Sequence, residues 1–380
     1  MSNSMRFVTD LSKGVLGQPD SAELWAEIIA HIPDEVLLKP GVRILSVACG
    51  HCTEARLIAK RMLALGISKE AVRESIWLID KYQQFTNDAV KRYGFKNVVQ
   101  HDFLTWEPGM KFDVVVGNPP FQSEKRTGTQ PLWPLFVKKA HELIADTGYL
   151  AMITPNKWCG HTANVIKGNV RLYKDLFKGK LIYANIQECS KYFPGVGAAA
   201  NSFSYFVVSN AGRDVAHIKS LDGEFVVSSD DFEYLPLRLQ SKTTASILKK
   251  TSNRGSFGFK QVSVGFANTN SGAIVISMAQ RLHYSKLNIY VDKAAPYTAT
   301  SKSTVSELAV NTTQAAVDSV FRSAVYRFIH HVFWNNDNFG TTFYNSLPYV
   351  DLTRTWTDAE LYAHFGLTEE EIAYIEATVK

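Results

Sequence analysis

The stretch Asp113-Val-Val-Val-Gly-Asn-Pro-Pro-Phe121 constrains the fold more than any other. Val114 to Val116 show no polar alternation, which predicts a strand buried on both faces, as in a parallel sheet covered by helices. Gly117 and two prolines end it abruptly, because proline has no N–H and two in succession cannot continue a ladder. The prolines also fix the backbone, leaving carbonyls directed outward beside the Asn118 amide. A rigid set of acceptors with an aromatic ring next to it suits a planar nitrogen heterocycle that carries an exocyclic amine. The plain alternative is a Pro-Pro turn that only closes a strand.

A regular strand–helix rhythm surrounds this element. Leu24, Ile28, Ile29 and Ile32 give the first helix an apolar face, with Asp20 and Glu23 at its start and Pro33 after its end. Ile44 to Ala48 then read as a buried strand, Cys49 to Cys52 as a tight turn, and Thr53 onward as a helix ending near Gly66. Strand, tight turn and helix are the opening unit of a cofactor-binding α/β fold. The next apolar strand, Ser75-Ile-Trp-Leu-Ile-Asp80, ends in an acid. In this architecture that position hydrogen-bonds ribose hydroxyls, although an acid there also serves as a cap or a surface charge. A helix over 83–93 and the strand segment Asn97 to Phe103 follow. After a polar loop, Gln122 to Gln130, come a helix over 131–145, the strand Gly148 to Pro155, a helix at about 162–177 and a strand over 181–186. The run Asn201 to Ser209 reads as a hairpin strand with Phe203, Tyr205 and Val207 on one face.

Cys49-Gly-His-Cys52 has a competing reading as the redox quartet of disulfide isomerases, because two thiols at a helix N-terminus have lowered pKa values. Ala48 stands where such enzymes usually have tryptophan, and a mildly reactive Cys52 is the residue of that reading kept here. No second closely spaced cysteine pair completes a four-ligand zinc site, so no metal is expected.

Asn-Pro-Pro-Phe at 118–121 resembles the catalytic motif of S-adenosylmethionine-dependent amino-methyltransferases, above all DNA adenine-N6 methyltransferases. Gly148-Tyr-Leu-Ala-Met-Ile-Thr-Pro-Asn-Lys-Trp158 is similar to a further segment of those enzymes. Cofactor turn, acid, Asp-Phe and Asn-Pro-Pro-Phe, in that order, resemble the gamma class of the restriction-modification type. The resemblance covers about residues 15 to 210 and the last 35 or so. It implies a Rossmann-like α/β methyltransferase sheet with helices on both faces. It implies Asn118, Pro119, Pro120 and Phe121 as the catalytic element, and S-adenosylmethionine held by Ala48, Cys49, Gly50, Asp80, Asp102 and Phe103. Asp102 would take the amino group of the cofactor's adenine and Phe103 would stack on that ring. Phe203 and Tyr205 are candidates to stack on a flipped target base, with a core role open for each. The chain departs from the pattern Asp-Pro-x-Cys-Gly-x-Gly at Ser46, in place of the acid, and at Cys52, in place of the last glycine.

The α/β rhythm stops near residue 212, which divides a catalytic domain (1–212) from a C-terminal target-recognition domain (213–380) in a chain of 380 residues. Between 241 and 330, Lys and Arg number 11 against 3 Asp and Glu, so the basic charge collects there and suits phosphate contacts, or a solvated face. Arg327 to Tyr349 are dense in aromatics and asparagines, including Trp334 to Phe339. Thr357 with Glu360 and Thr368 with Glu371 predict two capped helices separated by Gly366, a stretch that looks like the end of restriction-modification methyltransferases. The net charge of +5 hints only mildly at a polyanion. Four cysteines do not make a disulfide framework, so a reducing cytoplasm is expected. No apolar run approaches the roughly 18 residues of a membrane helix.

Together these readings predict an enzyme that methylates adenine N6 in a short sequence of double-stranded DNA, a monomer for preference, with any restriction endonuclease on a separate chain. The alternatives are an RNA or protein-glutamine amino-methyltransferase, and a nucleic-acid-binding relative without catalysis.

Overall fold

The computed structural model describes residues 21–379 except 122–130, 160–169, 187–191, 193–202, 221, 230, 253–254, 259, 265–273, 279–286, 291–302, 309–311 and 334–340. The expected loop 122–130, the first half of the helix expected at about 162–177, the run Trp334 to Phe339 and the cap Asp20 lie outside the described residues. The chain divides into two compact units, Met1–Trp158 with Asn164–Asp230, and Asp231–Lys380 with Cys159–Ala163.

In the first unit, α1 (Ala22–Ala30) and α2 (Asp34–Leu37) lead into β1 (Ile44–Val47), followed by α3 (Thr53–Ala64), α4 (Lys69–Ser75), β2 (Ile76–Asp80), α5 (Gln83–Lys91), β3 (Asn97–Gln100) and β4 (Phe112–Gly117). Then come α6 (Trp133–Leu143), β5 (Ile144–Pro155), a π-helical turn Leu172–Phe177, β6 (Leu181–Asn185), β7 (Phe203–Ser209), β8 (Val215–Ser220) and β9 (Gly223–Ser228). Ser21 caps α1, accepting from the Leu24 N–H. All nine strands form one sheet in the order β3-β2-β1-β4-β5-β7-β6-β8-β9. β1 pairs in parallel with both β2 and β4, and β4 with β5. β7 runs antiparallel to β5 and β6 on either side of it.

Both faces of the sheet are covered at its β4 strand, as the apolar run there requires; every residue from Phe112 to Gly117 is buried. One face packs Ile44, Val114, Val116, Ala151, Ile153 and Tyr205 into a core with α1 and α3. Residues alternate across a strand, so Val115, Leu150 and Met152 serve the other face, and α6 packs against β4 and β5. There Phe206 joins Trp158 and Phe177, with ring centroids 5.4 and 4.5 Å away. The expected doubly wound sheet with helices on both faces is the observed architecture.

The expected boundary at 212 falls too early. β8 pairs in parallel with β6, and β9 in antiparallel with β8, so the hairpin extends the first unit's sheet. Its exposed and buried residues alternate along β8, the pattern of a half-buried strand rather than of the apolar runs before it.

The second unit opens with α7 (Lys242–Thr251), continues through a four-stranded antiparallel sheet and ends in five helices. The strands are β10 (Lys260–Val264), β11 (Ile274–Met278), β12 (Leu287–Tyr290) and β13 (Ser303–Leu308), in the order β10-β13-β11-β12. The helices are α8 (Gln314–Phe321), α9 (Ala324–Phe333), α10 (Thr341–Ser346), α11 (Asp358–Phe365) and α12 (Glu369–Thr378). The core centres on α9, whose Val325, Phe328, Ile329 and Val332 pack with Phe343, Leu361 and Ile375. Both expected capping boxes are present, and Gly366 takes the left-handed conformation between the last two helices. Among the described residues, no helix is long and apolar enough to cross a membrane.

His330 lies inside this core, 3% exposed, with Nδ1 donating to the Tyr326 carbonyl at 2.6 Å. Burial holds its pKa down to about 4, although that hydrogen bond works the other way. An unfolded chain takes up this proton below about pH 6.5, whereas the folded unit resists it until about 4. The folded state is therefore favoured above the unfolded value, and that share is lost as pH falls through the window, on the order of 3 kcal/mol in all. Urea unfolding followed at pH 7 and pH 5 is expected to show the loss, and His330→Phe to reduce its dependence on pH. An unchanged pH dependence in the variant would contradict the buried neutral imidazole.

Candidate active site

Parallel strands in the order β3-β2-β1-β4-β5 place a switch point between β1 and β4, where the connections leave in opposite directions; in open α/β sheets the carboxyl ends at such a point are where ligands bind. The register pairs Val47 with Gly117, so the turn after β1 and the Asn118 element after β4 leave the sheet side by side. Gly117 is required by this approach: a Cβ there would stand 2.5 Å from the Val47 carbonyl oxygen.

The turn is made by left-handed residues. Ala48, Gly50 and Cys52 have φ of 51°, 46° and 57°. Only the glycine adopts such a value without strain. The conformation is held by hydrogen bonds from Cys49 N–H to Ile79 O (3.1 Å) and from Cys52 N–H to Cys49 O (2.6 Å). Gly50 N–H donates to Asp80 Oδ2 at 3.0 Å, which ties the turn to the end of β2. Asp80 Oδ1 accepts from Tyr82 N–H at 2.9 Å. Burial raises the Asp80 pKa, and the two backbone N–H groups oppose that shift. Ser46, fully buried in β1, donates its hydroxyl to Oε1 of Glu54 in the first turn of α3. Glu54 is itself 3% exposed.

Asp102 follows β3 and is exposed, with Oδ1 accepting from Leu104 N–H at 2.9 Å. Phe103 is buried and stacks on Phe136 with centroids 5.4 Å apart. Asn118 and Phe121 are half-buried, Pro119 is buried and Pro120 is exposed. The Phe121 ring lies 4.9 Å from that of Phe203, tilted by 53°. Strand ends thus bring Asp102, Asp80, the turn 48–52 and Asn118 along one edge of the sheet, with Phe203 beside Phe121.

Tyr205 takes a different position. It is fully buried, donates to Glu27 Oε1 of α1 at 2.7 Å and stacks on Tyr183. Its phenol is pushed well above the ordinary range by burial and by that carboxylate. As placed, it is a core side chain that fastens α1 to the sheet, one of the two roles its sequence left open.

The cysteine quartet also departs from its redox reading. Cys49 and Cys52 are 3% and 0% exposed. The hydrogen-bonding contact with Cys52, followed by burial, drives the Cys49 thiol strongly upward, opposite to an activated thiol. Sequence reading missed Glu54, which looks like an ordinary first-turn acid; the signal was a buried strand serine eight positions earlier where the pattern has an acid.

The site's chemistry fits S-adenosylmethionine, the cofactor expected for this sheet. The buried Asp80 and the exposed Asp102 are carboxylates at neighbouring strand ends, a chemistry able to accept hydrogen bonds from hydroxyl and amino groups such as that cofactor carries. Residues 50–179, about a third of the chain, match the family described as Eco57I restriction-modification methylase. The resemblance to restriction-modification methyltransferases is borne out over that stretch. The chain is similar to an uncharacterized adenine-specific methylase of Mycoplasma pneumoniae, 34% identical over 88 residues, covering 21% of this chain and 20% of that protein. It is also similar to the type II methyltransferase M.CvrRI of Paramecium bursaria Chlorella virus XZ-6E, 36% identical over 76 residues, covering 17% and 20%. The matched part spans about a fifth of the length of these curated relatives. Among solved structures, the M protein of the type I restriction enzyme EcoKI aligns over 56% of this chain and 50% of its own, at 13% identity and a TM-score of 0.40.

If both turn thiols are buried as described, iodoacetamide will leave Cys49 and Cys52 unmodified in the native protein and alkylate both in denaturant. Peptide mapping by mass spectrometry reads this directly, and native alkylation of Cys52 would restore the reactive reading.

Proposed function

We propose that this protein transfers a methyl group from S-adenosylmethionine to the exocyclic N6 amine of adenine in a specific double-stranded DNA sequence. The observation that carries the reading is the placement of Asn118-Pro119 at the carboxyl end of β4, one strand from the turn on β1. The match to restriction-modification methylases over 50–179 supports it, as does the name adenine-specific methylase carried by a relative.

When bound, S-adenosylmethionine supplies an electrophilic methyl on a sulfonium. The chain's part is to make a poor nucleophile reactive. An adenine amine is weakly nucleophilic because its lone pair is delocalised into the ring. The Asn118 side-chain oxygen and the Pro119 carbonyl each accept one amine hydrogen, which localises the lone pair toward the methyl. Pro119 and Pro120 hold these acceptors without reorganisation, so the contribution is positioning and electrostatics. No covalent intermediate on the protein and no metal is called for by this chemistry. The base must leave the duplex to reach a strand-end crevice, and Phe121 with Phe203 forms the aromatic wall on which it stacks. Asp80 holds the cofactor's ribose, and Asp102 takes the amine of its adenine. The second unit, Asp231–Lys380 with Cys159–Ala163, serves as the target-recognition part, its basic stretch contacting phosphates.

Incubation with S-adenosylmethionine and unmethylated bacterial DNA, then digestion and nucleoside mass spectrometry, is expected to yield N6-methyladenine. Asn118→Ala should lower transfer by at least about a hundredfold, in the range of a lost preorganised acceptor, with cofactor binding by calorimetry largely unchanged. Methyl transfer retained by Asn118→Ala, or product only on RNA or protein, would overturn this assignment.

A further inference from the structure

The segment Gly148 to Trp158 forms most of β5 and the short helical turn Asn156–Trp158 after it. Its polar groups do not reach the catalytic element but turn toward the neighbouring strands. Trp158 is fully buried, and its Nε1–H donates to Ser204 Oγ on β7 at 3.0 Å. The Ser204 hydroxyl donates in turn to the Thr154 carbonyl of β5 at 2.9 Å. Both Ser204 and Thr154 are fully buried. The Trp158 indole is held edge-on by Phe177 and Phe206, with ring centroids 5.5 and 5.4 Å away. Asn156, also buried, donates from its amide to the Ile186 carbonyl at 3.1 Å, just past β6. Hydrogen bonds in such a water-excluded place hold geometry firmly.

The register shows why side chains are needed here. β5 and β7 pair from Tyr149–Ser209 to Pro155–Phe203, so Phe203 enters the sheet opposite a proline. Proline has no N–H, and the rung that carries Phe203 receives no backbone donor from Pro155. One rung further in, where Thr154 faces Ser204, the chain from Trp158 through Ser204 to Thr154 fastens the strand instead. Successive residues of a strand point to opposite faces. Ser204 is therefore gripped on the face of Trp158 and Phe206, while Phe203 stands on the other, with its ring 4.9 Å from that of Phe121. Phe121 closes the Asn118–Phe121 element and packs against the core to which Phe203 belongs. Where β7 begins thus sets the surface against which Phe121 rests.

We propose that Ser204, held by the Trp158 indole, is a positioning residue for methyl transfer: it fixes the start of β7 so that Phe203 braces Phe121 of the catalytic element. The inference rests on the reading of residues 118–121 as that element.

A double-mutant cycle tests it. N6-methyladenine formation on unmethylated bacterial DNA is measured at saturating S-adenosylmethionine, per cofactor site counted by calorimetry with S-adenosylhomocysteine. Ser204→Ala is expected to lower kcat by about tenfold or more, since misplacing a group by about 1 Å can cost roughly a hundredfold, and to leave S-adenosylhomocysteine affinity unchanged. Ser204→Thr keeps the hydroxyl and is expected to keep most of the rate. In a Phe203→Ala background, Ser204→Ala is expected to cost nothing further, because the side chain it acts through is gone. A merely structural role would lower the rate by the same factor in both backgrounds. Trp158→Phe removes the donor while keeping an aromatic ring; it is expected to follow the same pattern and carries the test should Ser204→Ala fail to fold. An unchanged rate in these variants, or an equal loss with and without Phe203, overturns the positioning role. Wild-type protein that forms no methylated product overturns the methyltransferase reading beneath it, before any variant is compared.

Discussion

The close approach of β1 and β4 is the constraint from which the rest of the first unit follows. Gly117 faces Val47 with no room for a side chain, and the pairing from Ile44–Val114 to Val47–Gly117 runs without a slip. A one-residue slip in either strand would move the buried valines of β4 to the opposite face. It would also separate the end of β4 from the turn on β1. The other end of the pair is fastened by charge: Asp113 accepts from Lys39 Nζ at 2.6 Å and from Arg43 N–H at 2.9 Å. Hydrophobic packing thus supplies the stability of the sheet, and these few polar contacts fix its register. Register in turn decides which loops are neighbours.

The parts of this arrangement that sequence discloses are those with a single physical cause. The mainly apolar runs at Ile44–Val47, Ile76–Asp80 and Phe112–Gly117 have few alternatives to buried strands, and all three have a neighbour on both sides in the sheet. Thr357–Glu360 and Thr368–Glu371 disclose their helices because both halves of a capping box lie within one turn of chain. The features that stay hidden depend on distant partners. β8 has exposed and buried residues in alternation and β9 is largely exposed, so nothing local shows that this hairpin adds to a sheet already seven strands wide. Tyr205 reads equally well as a site aromatic or a core one. Glu27, on a helix 178 residues earlier, decides between them. Glu54 is ambiguous for the same reason, since the serine that holds it is in another element.

β7 illustrates how a single reversed strand shapes a site. Placed between β5 and β6 and antiparallel to both, it begins at the edge where the parallel strands end. Its first residue, Phe203, pairs with Pro155 and so arrives beside Phe121. A parallel strand in that place would deliver its last residue there. The contact between Phe121 and Phe203 is thus assembled from one strand leaving the edge and another entering it.

Glu371 belongs to the second capping box, yet its carboxylate also accepts from Ser246 at 2.6 Å and pairs with Lys250 at 2.7 Å, both on α7. The box of Thr357 and Glu360 has a different partner, since Glu360 reaches only as far as Arg354, six residues earlier in the chain. Two motifs with the same letters therefore do different jobs. One closes a helix end locally. The other spans 121 residues of chain and joins the first helix of the second unit to its last. Ile375 and Val379 on the same closing segment are buried in the common core. The final helix is therefore a keystone of that unit, as integral to it as α9, although in sequence it resembles an appended tail.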